Sequence, residues 1–143
     1  AFVFSDQRHR AALCTDTGVF TTLLARRLVD LDAVLMETNH DPDLLRHGPY
    51  PWPLKQRIAS RHGHLANHQA CEALDQIRSS TLKAVLGLHL SAENNCPDMA
   101  GEGLRCAVPE ASVAEAVTRE IMVRLVLNGD SPTLERMAVP PRP

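Results

Sequence analysis

Aromatic residues are almost missing from this chain: three Phe, one Tyr and one Trp among 143 residues, so a core has to be assembled from Leu, Val, Ala and Ile. No apolar run approaches the roughly 18 to 20 residues that a bilayer helix needs, and the opening AFVFSDQRHR lacks a charged start followed by an apolar stretch, so neither membrane insertion nor secretion is expected. Excess positive charge is absent too. A formal net charge of -2 supplies no general field for nucleic acid, although a local patch is compatible with it. The four cysteines, Cys14, Cys71, Cys96 and Cys106, form no C-x-x-C pair and no disulfide framework spacing. Free buried thiols in the reducing cytoplasm are therefore expected.

What is present, 44% hydrophobic and 22% charged residues, belongs to an ordinary globular domain. One domain over residues 1–139 is expected, with a frayed tail at 140–143. The chain opens on Ala1, already in a strand-like run, which points to a segment upstream. Ala1–Phe4 and Ala11–Cys14 read as a hairpin that enters Thr15-Asp16-Thr17-Gly18. Leu23, Leu24, Ala25, Leu28 and Val29 recur at helical spacing over Thr21–Asp30, with Thr21 or Thr22 placed to cap. Ala33–Met36 and Leu82–Leu88 are short continuous apolar runs, the pattern of strands buried on both faces.

The prolines of Pro42–Pro53 predict an ordered loop, with Tyr50 and Trp52 read as core plugs and a substrate groove as the alternative. Helices are predicted over Leu54–Arg61, Asn67–Arg78, Pro97–Cys106 and Ala111–Glu120. A terminal hairpin, Ile121–Leu127 with Leu134–Val139, turns at Asn128-Gly129. The alternation of strands and helices gives an α/β fold.

Three predicted strands end in polar clusters: Asp16, then Glu37 with His40, then His89. Ligands collect beyond strand ends in α/β sheets, so these clusters are expected to converge. Singly, Asp16 is as well explained by a hydrogen-bonded turn and His89 by a structural strand end. Jointly, a carboxylate and an imidazole suit a borderline divalent ion such as Zn²⁺ or Mn²⁺. A carboxylate such as Glu37 against one nitrogen of His64 would fix its tautomer and leave the other nitrogen for proton transfer. His62, His64 and His68 resemble a zinc motif superficially. No acidic residue lies among them, and His68 falls on the next helix, pointing away from His62.

Six segments, Thr15–Gly18, Leu35–Asp41, Gly48–Pro51, Leu54–Ile58, Gly63–Asn67 and His89–Asn95, occur in an order that resembles the YycJ (VicX, WalJ) branch of the metallo-β-lactamase superfamily. The resemblance implies an αββα sandwich with two divalent metal ions, Zn or Mn, and phosphodiester hydrolysis by a metal-activated water, with DNA as the substrate of an exonuclease. By position it makes Asp16 the bridging metal ligand, His89 a ligand to one ion, and Glu37 with His64 the proton-donating pair. Asn39, His40 and Asn67 become supporting or substrate contacts.

The superfamily's main ligand motif, H-x-H-x-D-H, does not occur in this sequence. The resemblance therefore covers the C-terminal half of the fold: half of an αββα sandwich, a mixed sheet flanked by helices. Such a half is expected to be inactive alone, to need an N-terminal half or to pair with itself, and to expose a sheet face. Two other readings remain: a noncatalytic half-fold acting as an interaction or regulatory module, and a hydrolase of small esters or thioesters.

Overall fold

A computed structural model describes residues 1–128 and 131–138 of the chain. Gly129 of the expected turn, Val139 and the tail 140–143 lie outside the described residues.

The apolar runs form the sheet as read. β1 (Phe2–Ser5), β2 (Arg10–Cys14), β3 (Ala33–Glu37), β4 (Ala84–Leu88) and β5 (Val113–Ala116) lie side by side in chain order. β1 runs antiparallel to β2, and β2 through β5 are parallel. β6 (Ile121–Val126) and β7 (Thr133–Ala138) make a separate antiparallel ribbon. This is a mixed sheet flanked by helices, consistent with half of a metallo-β-lactamase sandwich.

The central strands are buried because helices cover them, which is why their sequences run apolar without alternation. α1 (Thr22–Arg27), α4 (Asn67–Ile77) and α5 (Pro97–Ala107) carry the crossovers between parallel strands. Ala12, Cys14, Val34, Met36 and Val85 from the sheet meet Leu28, Leu74 and Leu104 from these helices in one core. Caps fit the sequence locally: the Thr21 hydroxyl accepts from the Leu24 amide at 3.2 Å, and Gln69 reaches back to the Ala66 amide at 2.9 Å.

Four expectations are corrected. Pro42–Pro53 is not a continuous loop. It holds α2 (Pro42–His47) and the start of α3 (Trp52–Ile58), because proline is tolerated in a first helical turn and the Asp41 carboxylate caps the Asp43 and Leu44 amides at 2.9 and 3.0 Å. Ala111–Glu120 is not a helix. Its Val113–Ala116 pairs with Ala84–Gly87, and an open edge on β4 outweighs the helical preference that the alanines and Glu115 give this stretch. Trp52 does not plug the core, being 65% exposed. The four cysteines are free, but only Cys14 is buried, and Cys106 is exposed.

Two glycines let the loop after α3 pack closely, Gly18 from the Thr15–Gly18 turn against Ser60 and Arg61, and Gly63 against the end of α3. A Cβ at Gly18 would lie 2.3 Å from the Ser60 carbonyl oxygen, and one at Gly63 would lie 2.1 Å from that of Ile58. Neither obstacle can rotate away, since both are backbone. Gly63→Ala is expected to destabilise the fold by roughly 1–3 kcal/mol, read as a lower urea midpoint with an unchanged slope.

Candidate metal and acid-base site

The parallel register brings the strand ends together. Cys14 pairs with Met36 and Glu37 with Leu88, so Asp16, Glu37 and His89 leave their strands at one edge of the sheet. Asp16 and His89 both have left-handed backbone, φ 55° and 61°. That conformation is uncommon for non-glycine residues and recurs at functional sites, where it turns the chain sharply at a strand end. His64 arrives from another direction. Asn39 donates its amide to the Leu65 carbonyl at 2.9 Å, and His40 bridges Ala66, so residues 64–66 run alongside 39–40 and carry the imidazole to the same edge.

Glu37 is the base of the site. Its side chain is fully buried, and one carboxylate oxygen accepts the Thr17 and Leu65 amides at 3.0 and 3.4 Å. The other faces two imidazoles: Nδ1 of His64 at 2.8 Å and Nδ1 of His89 at 2.8 Å. An ionised carboxylate only accepts, so both histidines carry their proton on Nδ1 and turn Nε2 outward. The rings meet edge to face, centroids 4.9 Å apart. Asp16 sits at the exposed mouth, its carboxylate 3.5 Å from His89 Nδ1.

One ligand atom from each of Asp16, Glu37, His64 and His89 lies within 4.8 Å of the others, so these four residues could hold a metal ion. Two imidazole nitrogens with carboxylate oxygens match the donors that borderline divalent metals take. Above them opens a cleft of about 1010 Å³, walled by Tyr50, Leu54 and Ile58 on one side and Thr118 and Arg119 on another.

The remaining expected site residues divide. Asn39 lines the cleft and donates its side-chain amide to the His89 carbonyl at 2.8 Å, bracing the left-handed turn. Asn67 does not reach the cleft. Its amide donates to the Asn95 carbonyl oxygen at 2.9 Å, and Asn95 donates to the Thr38 carbonyl at 2.7 Å, so the pair ties α4 to the ends of β3 and β4. His40 faces away from the four, buried, its Nδ1 at 3.3 Å from the Asn39 side-chain oxygen. His62 and His68 are exposed and stand outside the four-residue group. Sequence reasoning missed Asn95 as a tie and the backbone donors Thr17 and Leu65, since backbone donors carry no side-chain signature.

No family model matches the chain. It is 42% identical over 88 residues to "Exodeoxyribonuclease WalJ" of Streptococcus pneumoniae serotype 2 (strain D39 / NCTC 7466), an alignment covering 62% of this chain and 33% of that protein. It is 34% identical over 99 residues to "Exodeoxyribonuclease YycJ" of Bacillus anthracis, covering 69% of this chain and 38% of that protein. Over these residues the chain is a homologue of the WalJ and YycJ proteins. It spans little more than a third of the length of these curated relatives.

Burial holds the His40 pKa down, from the ordinary 6.5 to about 4, with His64 and His68 adding repulsion. The folded state therefore binds fewer protons than the unfolded one between these values. Stability from neutral His40 is complete above pH 6.5 and lost as pH falls towards 4, by up to roughly 3 kcal/mol. Urea melts of the native chain and His40→Gln over this range should show a shallower pH dependence for the variant. The tautomers are open to the same kind of check: long-range ¹⁵N spectra should show Nδ1–H at His64 and His89, and Glu37→Gln should disturb at least one, because an amide presents a donor where the carboxylate had only acceptors.

Proposed function

We propose that this chain contributes the C-terminal part of the active site of a metal-dependent DNA hydrolase, acting as an exonuclease. The observation that carries the reading is the buried Glu37 carboxylate shared by two imidazoles beside an exposed aspartate. The names of the relatives supply the substrate class. The complete site is read as holding two divalent ions, zinc or manganese, with Asp16 bridging them and His89 bound to one.

Bound divalent ions supply a water of lowered pKa and stabilise the charge that develops on the phosphoryl oxygens. The chain's own residues do the rest. Glu37 fixes the orientation of both rings through their Nδ1 atoms. With Nδ1–H held by Glu37, His64 can give a proton only from Nε2, and only as the imidazolium. The departing sugar oxygen is the group that needs it. Asn39 keeps the His89 turn in place while this happens. The four free thiols accord with a cytoplasmic setting, which we also propose.

A second reading is a noncatalytic half-fold that pairs with another chain or a second copy. β1 favours it: this strand is exposed along its whole length, with Phe2 66% and Phe4 59% exposed. Sedimentation of the chain at rising concentration distinguishes a dimer from a monomer.

The deciding experiment is a hybrid in which these 143 residues replace the matching part of Bacillus anthracis YycJ, assayed for metal content and for nucleotide release from linear DNA. Asp16→Ala is expected to lose both metal and hydrolysis. His64→Ala should keep most of the metal and slow hydrolysis about 10²- to 10⁴-fold. Glu37→Gln combined with His64→Ala should cost less than the two single losses multiplied, because the part of the Glu37 effect that runs through His64 is already gone, while the part that runs through His89 shows as lost metal. A hybrid that retains hydrolysis without Asp16 would sink the assignment.

A further inference from the structure

A second cleft, of about 350 Å³, lies beside the first. Its walls include Trp52, Arg46 and Lys55, and His40 and the buried Leu45 also line it. α3 is shared by both clefts: Leu54 and Ile58 face the catalytic cleft, while Lys55 and Ala59, one residue on in each case, face this one. The consecutive residues Asn39 and His40 are divided between them in the same way.

Three observations define the occupant. Trp52, the chain's one tryptophan, is 65% exposed. Lys55 donates to the Arg46 carbonyl at 2.8 Å, which holds its ammonium at the cleft and leaves two donors unused. From Leu44 to Cys71 the sequence contains no Asp or Glu, yet it carries Arg46, Lys55, Arg57 and Arg61. Outside the catalytic cleft, the ion pairs among the described residues use Asp6, Asp75, Glu115, Glu120 and Glu135, all outside that stretch. An acidic chain thus presents a locally cationic face around an exposed indole, next to the proposed hydrolytic site.

We propose that Trp52 stacks on a base of single-stranded DNA while Arg46 and Lys55 take a neighbouring phosphate, so that this cleft holds an unpaired nucleotide next to the phosphodiester being cut. Stacking on an aromatic face is tolerant of sequence, and cations beside it track the backbone. An internal paired base does not offer its face, so the cleft favours an unpaired strand over a duplex, whose exposed faces are limited to its terminal pairs. The proposal rests on the hydrolase reading for its choice of ligand.

The sole tryptophan makes the test direct. With EDTA present, so that no hydrolysis occurs, the full chain is titrated with oligothymidylate of about a dozen nucleotides, with a blunt DNA hairpin and with heparin, following Trp52 emission and the anisotropy of a labelled strand. Saturable quenching by oligothymidylate alone is expected. Trp52→Ala should weaken strand binding at least about fivefold and Trp52→Phe should largely restore it, while Arg46→Ala with Lys55→Ala should flatten the salt dependence. Binding without a change in emission, equal quenching by heparin, or unchanged affinity in Trp52→Ala would overturn the proposal. So would absence of strand binding. If the hybrid still hydrolyses DNA in an Asp16-dependent way, only this inference fails. Quenching by the strand alongside an inert hybrid would leave the stacking platform and remove the hydrolase reading.

Discussion

One buried carboxylate organises this molecule. Glu37 sits at the end of a strand with no exposure to water, and such a charge is tolerable only where donors replace the solvent it has lost. Four donors do so: two backbone amides and two imidazole N–H groups, drawn from three separate parts of the chain. The Thr15–Gly18 turn, the segment after Gly63 and the end of β4 are all pinned to the same two oxygen atoms. The requirement that stabilises the charge also fixes where the two imidazoles point.

That arrangement sets a gradient from dry to wet. Glu37 lies at the bottom, the histidine rings are partly covered, and Asp16 stands in solvent. Charge at the base acts through a low effective dielectric and so orients the imidazoles strongly, while the Asp16 carboxylate stays accessible. The left-handed backbone at Asp16 and His89 suits this division. Each strand ends abruptly there, which places a side chain over the sheet edge instead of continuing along it.

Much of this was legible in the residues. The continuous apolar runs ending at Asp16, Glu37 and His89 marked parallel buried strands whose ends converge, and the register bears that out. The Glu37 and His64 contact is present as expected, but the sequence did not show that His89 shares the same oxygen, because two residues 52 positions apart meet only through strand pairing. His40 and Asn67 were placed in the site by their motif neighbours. The structure puts them beside it, His40 facing the second cleft and Asn67 tying loops together. β5 was read as a helix because Ala114, Glu115 and Ala116 favour one locally, and the decision belongs to the edge of β4 that they cover. The proline-rich stretch misled for the opposite reason: proline breaks a helix in its interior but is at home in its first turn, where α2 and α3 use it.

Net charge was the least informative quantity, and the reason is physical. A total of -2 averages an acid-free stretch from Leu44 to Cys71 against acidic segments elsewhere, and the Debye length of about 8 Å in physiological salt means that an approaching ligand responds to the local face, not to the sum. The same stretch supplies α3, a wall of the larger cleft, and His64, so its cationic residues lie close to the four-residue group. Segregation of this kind keeps the rest of the surface acidic, which disfavours nonspecific adhesion to nucleic acid while leaving one face able to receive a strand. Whole-chain composition is therefore compatible with a nucleic-acid substrate here because the charge is sorted by segment.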